Sequence, residues 1–205
     1  MEFKGKTMNI TPLFAIPVGI SNIGRAWTEE EISFFKNLEL HGNVGNKVSV
    51  NKKVLEHLED IKGFILNSVK RYVETTDPLP DDIEIYITQS WINLTEEKEY
   101  HHAHTHPNSI ISGVLYINAD REVDKIVVHN ERRKRILKYK PVSWNPFNSE
   151  VWRFNVGTGD LIMFPSELKH EVENKVGSNF RVSLSFNTFL KGKIGDEHEL
   201  TELIL

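Results

Sequence analysis

Between Asn51 and Thr76 the apolar residues Val54, Leu55, Leu58, Ile61, Ile65, Val69 and Tyr72 recur mostly at steps of three and four. That spacing lines up one face of an α-helix, so the pattern predicts a long amphipathic helix over 51–76 that must lay this face on something. Upstream, "TEEEISFFKNLE" predicts a shorter helix, with Thr28 as N-cap and acidic residues in the first turn. The prolines of "TTDPLPDD" end the helical pattern.

After Asp82 the period changes from helical to two. Ile83, Ile85 and Ile87 alternate with Glu84, Tyr86 and Thr88, as in a half-buried strand. "IEIYITQSWINL", "NSIISGVLYI", "KIVVH", "EVWRFNV", "DLIMF", "HEVE" and "FRVSLSFNTF" read as strands separated by Gly, Asn, Pro and Asp signals, and "VGTGD" reads as a tight turn. A helical section followed by that many strands implies a mainly β protein with N-terminal helices: a sandwich or small barrel with helices buttressing one sheet. The expected organisation is one domain over 1–205. Residues 1–82 form a helical section packing on the sheet, 83–190 the β-core and 191–205 a C-terminal tail.

Composition narrows the chemistry. The 205 residues are 39% hydrophobic and 26% charged, with a net charge of −4. That balance gives no electrostatic reason to expect nucleic acid or an anionic membrane. No apolar run is long enough to span a bilayer and "MEFKGKTMNITPLF" lacks a signal-peptide core, so the expected location is cytoplasmic. There is no cysteine, so any metal must sit on histidine and oxygen ligands.

Four of the nine histidines fall within six residues of "EYHHAHTHPNSIISGVLYIN". In a regular strand His102, His104 and His106 would share one face and His101 the other. Neutral imidazoles of neighbours on that face can converge on Fe, Zn, Cu or Ni, and a third ligand should come from elsewhere. His170, after the buried-looking "DLIMF" and a Pro-Ser turn, is the best candidate. His102 paired with His104, and the side-chain oxygen of Asn108, are alternatives. Arg181 follows on the next strand, with Ser183 on the same face. An inward-pointing guanidinium needs an anion. Its planar fork matches a carboxylate and a serine hydroxyl adds a hydrogen bond, so an organic acid chelating the metal at one end and clamped at the other suits the set.

His104-Thr105-His106, then His170, then Arg181-Val182-Ser183 resemble the iron(II)- and 2-oxoglutarate-dependent oxygenases, with their His-x-Asp/Glu…His…Arg-x-Ser order. More narrowly, "SWINL", "HPNSIISGVLYI", "GDLIMFPSELKHEV", "RVSLSFNTFLKGKIG" and "LTELIL" resemble a 2-oxoglutarate/iron oxygenase family of marine phages and bacteria. The resemblance implies a double-stranded β-helix (jelly-roll, cupin-like) core. It implies Fe(II) on His104, His106 and His170, and 2-oxoglutarate held by Arg181 and Ser183, with Asn93 and Tyr116 on flanking strands as further partners. The implied activity is a dioxygenase that decarboxylates 2-oxoglutarate to succinate while hydroxylating a substrate, small molecule or protein, that the sequence does not specify. For a phage-encoded chain the location would be the host cytoplasm. One departure stands out: His106 occupies the place of the acidic ligand, which leaves the site one positive charge higher.

"HNERRKRILKYK" concentrates Arg132, Arg133, Lys134, Arg135, Lys138 and Lys140, and reads as a solvated loop rather than a nucleic-acid contact. Trp144 and Phe147 could form a lid over the site or cap the sheet. The apolar "ELTELIL" can pack on its own domain or on a second copy, which leaves a homodimer open. Two rival functions remain at this level: a cupin-like three-histidine metalloenzyme that does not use 2-oxoglutarate, and a non-catalytic jelly-roll binding module.

Overall fold

The computed structural model describes Met8 and residues 10–131 and 136–205. Its first elements are β1 (Gly19–Asn22), α1 (Glu29–Lys36), β2 (Leu40–Gly42), β3 (Lys47–Ser49), a 3-10 turn (Val54–His57) and α2 (Glu59–Thr76). The long strand β4 (Ile83–Thr95) follows, then β5 (His101–His104), β6 (Ile111–Asn118), β7 (Lys125–His129), β8 (Val151–Asn155) and β9 (Asp160–Pro165). The chain closes with β10 (His170–Val172), β11 (Arg181–Ile194) and β12 (Leu203–Ile204).

All pairings between these strands are antiparallel and make two sheets. The larger has the order β1-β9-β6-β11-β4-β3-β2, with β12 added to the far end of β11, and the smaller the order β5-β10-β7-β8. The central strands β9, β6, β11 and β4 pack against the four strands of the smaller sheet. This is the double-stranded β-helix, or jelly roll.

Both faces of the larger sheet are covered. Leu115, Ile117, Leu161, Met163, Leu184 and Phe186 point outward onto Ile61, Ile65 and Val69 of α2. The alternate residues Tyr116, Ile162 and Phe164 point inward onto Ile126 and Val128 of the smaller sheet. Burial on both faces explains why "SGVLYI" and "DLIMF" read as almost unbroken apolar runs. Gly113 of β6 pairs with Phe186 of β11, and a Cβ there would collide with the Phe186 ring. Gly159, with φ +86°, supplies the left-handed residue of the turn between β8 and β9.

The first helix forms as expected. Thr28 caps α1 and Glu31 closes the capping box. Three expectations need correction. The helix expected over 51–76 is two pieces, because Leu58 leaves helical geometry (φ −135°, ψ 68°). Before it, Leu55 N–H bonds the Ser90 hydroxyl at 2.9 Å and Ser90 N–H bonds the Lys52 carbonyl at 2.8 Å. The backbone there is satisfied by β4 rather than by a helix, yet Val54, Leu55 and Leu58 still enter the same core as Ile61 and Ile65. Residues 1–82 are also more than a helical section, since β1, β2 and β3 join the larger sheet. Finally, the boundary at 190 falls inside β11, and the tail returns as β12 to pair with it.

The basic run expected as a loop falls at 132–135 outside the described residues; Lys138 and Lys140 are exposed between β7 and β8. Among the described residues no helix is long and apolar enough to cross a membrane.

Candidate metal centre

His104 ends β5 and sits directly opposite His170 on β10. His106 follows two residues on, anchored by its N–H to the Ser166 carbonyl at 2.9 Å. The three rings face one another, with centroids 5.0 Å (104–106), 4.4 Å (104–170) and 5.0 Å (106–170) apart. One ring nitrogen of each lies within 4.8 Å of the others.

The other ring nitrogens decide which lone pairs face inward. His104 Nδ1 stands 2.7 Å from the His102 carbonyl and His170 Nδ1 2.9 Å from the Leu168 carbonyl. His106 Nδ1 stands 2.5 Å from Asn187 Oδ1, which also lies 2.8 Å from the Ser112 hydroxyl. An oxygen that only accepts requires the proton on Nδ1, so all three rings turn a bare Nε2 inward. His104 Nε2 and His106 Nε2 are 3.1 Å apart. Two nitrogens each about 2.1 Å from a shared ion at a right angle would stand about 3 Å apart. Burial holds the pKa of His104 and His106 below the usual value and pushes that of His170 down to about 3. The imidazoles are therefore neutral near pH 7, the form that binds metal.

The expected alternation along β5 is overturned. His101 lines the pocket together with His104, His106 and His170, whereas His102 is exposed. The cause is a bulge: His104 pairs with His170 but His101 pairs with Val172, so three steps on β5 match two on β10. The extra residue puts positions three apart, not two, on one face. Burial lowers the His101 pKa to about 3.

The other wall of the pocket is polar. Alternation on β11 places Arg181, Ser183 and Ser185 toward the smaller sheet, and alternation on β4 does the same for Trp91, Asn93 and Thr95. Register sets Asn93 beside Ser183 and Ser183 beside Tyr116, a row across three adjacent strands. All four residues expected to hold the oxoacid therefore line the pocket that the histidines line. Tyr116 is 1% exposed and burial raises its pKa, which keeps the phenol protonated and able to donate. Asn93 donates through Nδ2 to Ser185 Oγ at 3.0 Å, and its buried Oδ1 has no partner.

Arg181 is buried but not alone. Its NH2 bonds Thr95 Oγ1 at 3.3 Å, and its NH1 lies 3.8 Å from Asp124 Oδ1, which also lies 3.4 Å from Lys175 Nζ. Two buried cations thus share one carboxylate, leaving a local charge of one positive unit for an incoming anion. Asp124, Lys175 and the pocket-lining Asn46 escape sequence reasoning because they sit in loops where no period marks a face. Asn187 was within reach: it continues the alternation Arg181, Ser183, Ser185.

Several candidates lie elsewhere. Asn108 is exposed, in a left-handed turn with φ 56°. Trp144 and Phe147 are more than half exposed and neither lines the pocket. Among the described residues, both groups able to hold a metal consist of histidine alone. Glu171 touches the pocket wall, but its Oε1 engages His129 Nε2 at 3.0 Å.

Residues 89–187 match the family described as "Putative 2OG-Fe(II) oxygenase". No curated protein matches the chain in sequence. Solved structures are similar in fold. One is an oxidoreductase of the 2OG-Fe(II) oxygenase family from Burkholderia pseudomallei, with TM-score 0.59, 14% identity and 83% of each chain covered. A second is HygX from Streptomyces hygroscopicus with nickel, 2-oxoglutarate and hygromycin B bound, with TM-score 0.56 and 9% identity, covering 84% of this chain and 82% of that one. A third is a prolyl hydroxylase from Trichoplax adhaerens in complex with a hypoxia-inducible-factor peptide, with TM-score 0.53, 13% identity and 83% of each chain covered.

Proposed function

We propose, from the premise that residues 89–187 match the family described as "Putative 2OG-Fe(II) oxygenase", that this protein is an Fe(II)- and 2-oxoglutarate-dependent dioxygenase that hydroxylates a substrate the sequence does not specify. One observation carries the reading: three imidazoles fixed in one tautomer turn their Nε2 atoms into a pocket whose other wall holds a buried, incompletely neutralised arginine.

In this reading His104, His106 and His170 hold the iron through Nε2. Arg181 and Ser183 bind the far carboxylate of 2-oxoglutarate, and Asn93 and Tyr116 hydrogen-bond its oxygens or ordered water. With both groups bound, the site would supply oxidative decarboxylation of 2-oxoglutarate by dioxygen, one oxygen atom entering succinate as carbon dioxide leaves and the other entering a substrate C–H bond. The chain's own contribution is placement and electrostatics. Asp124 holds the Arg181 fork while Lys175 keeps the end of the pocket positive, so the cosubstrate carboxylate completes a charge balance that the protein leaves open. The imidazoles are neutral, so with one cosubstrate carboxylate paired to Arg181 and the other at the ion, the site keeps one positive charge that a protein carboxylate at position 106 would have cancelled.

The test is succinate release from 2-oxoglutarate by the purified protein with Fe(II) and oxygen, alongside thermal shift with each component. Turnover is expected in the wild type. The Arg181→Lys variant, which keeps the partner of Asp124 but loses the planar fork, should need about tenfold more 2-oxoglutarate or worse. A stoichiometric metal with no response to 2-oxoglutarate would replace this reading by the three-histidine enzyme without an oxoacid. No stoichiometric metal would leave the binding module.

A further inference from the structure

The histidine-rich strand holds a second trio. One ring nitrogen from each of His101, His102 and His104 lies within 4.8 Å of the others. Their ring centroids stand 5.2 Å (101–102), 4.6 Å (101–104) and 5.2 Å (102–104) apart. The pocket trio spans 5.0, 4.4 and 5.0 Å. The two triangles have nearly the same dimensions and share a corner at His104.

We propose that His101, His102 and His104 form an alternative divalent-cation site on the solvent side of the pocket, suited to a borderline ion such as Zn(II), Ni(II) or Cu(II). Occupation of the two sites is mutually exclusive. His104 Nδ1 is committed to the His102 carbonyl, so its single free nitrogen, Nε2, serves either trio but not both.

Three features support a built site. The bulge in β5 swings His101 onto the face of His104, which regular alternation would forbid. His102 is exposed, so an ion reaches this trio without entering the pocket. The third feature is Asn46, 4% exposed and lining the pocket, whose Nδ2 lies 3.2 Å from His101 Nδ1 while its buried Oδ1 has no partner. Either orientation of that amide leaves one polar end unpaired beside His101, a group that water on a bound ion would satisfy. Like the pocket trio, the outer one has no carboxylate, but with no oxoacid site beside it to add chelating oxygens it follows the ordinary order of affinity, which places the later first-row ions above iron(II). An ion there takes His104 away from the pocket, so the outer trio is a built-in point of inhibition by those metals.

The experiment is titration of the full chain with Zn(II) alone, followed by calorimetry, and it does not depend on oxoacid chemistry. His106→Ala breaks the pocket trio and leaves the outer one complete. This variant should bind one Zn(II), and adding His102→Ala should weaken that binding by more than about tenfold, since even outer-shell changes to a metal site cost that much. His170→Ala offers the same logic if circular dichroism shows that His106→Ala does not fold. If neither folds, His106→Gln, which removes the imidazole but keeps a polar side chain beside Asn187, carries the same comparison. The proposal is also overturned if the pocket-broken chain binds no Zn(II), or binds it equally well without His102. A failed 2-oxoglutarate assay would bear on the proposed function and leave this result untouched.

Discussion

At the scale of single residues the centre depends on which atom of each ring holds a proton. Asn187 illustrates this: it does not line the pocket, yet its Oδ1 accepts from His106 Nδ1 and so turns Nε2 inward. Asn187→Ala should lower metal affinity about 10–100-fold, the usual cost of losing such a support, when read by competition with a chromogenic chelator. Acid sensitivity also belongs here. His101 and His170 have folded pKa values near 3 against 6.5 for the free side chain, so the unfolded chain takes up their protons first. Stability should be flat above pH 6.5 and fall progressively below it, before carboxylates titrate. Thermal melts of metal-free protein at pH 8, 6 and 5 check the sign: a melting temperature unchanged from pH 8 to pH 5 contradicts it. Arg181 and Ser183 were legible from strand alternation and His170 from its place after a buried strand, whereas the choice of His104 with His106 among the clustered histidines came from the family resemblance. His101 was misread because a bulge leaves no trace in the order of residue types.

At the scale of elements the same contrast holds. The helical period from Ile61 to Tyr72 and the alternation in β4 were plain, and both elements formed. The three-residue strands β2 and β3 are too short to show a period, and β1 gains its identity only by pairing with β9. Nothing in "NKKVLEHLED" distinguishes a 3-10 turn from the start of a helix, since the deciding hydrogen bond comes from Ser90. What makes α2 part of the structure is its buried stripe. Ile65 is fully buried against the sheet, so Ile65→Ala should cost about 2–5 kcal/mol of unfolding free energy in a denaturant titration. A loss under about 1 kcal/mol would mean that the helix contributes little to holding the sheet.

For the whole molecule, the sequence told the order of helices before strands, but not that the chain's beginning would be woven into the sheet at both of its edges. β1 lies at one edge beside β9, and β2 and β3 lie at the other beside β4. The side chains of Asn22 and Asp160 bond at 2.9 Å across 138 positions of sequence. That single long-range closure dictates a timetable. A ribosome releases the first strand long before its neighbour has been translated, and the entropy lost in joining such distant points is recovered only once the intervening sheet exists. Strand β1 must therefore wait, unpaired, until its neighbour β9 has been synthesised.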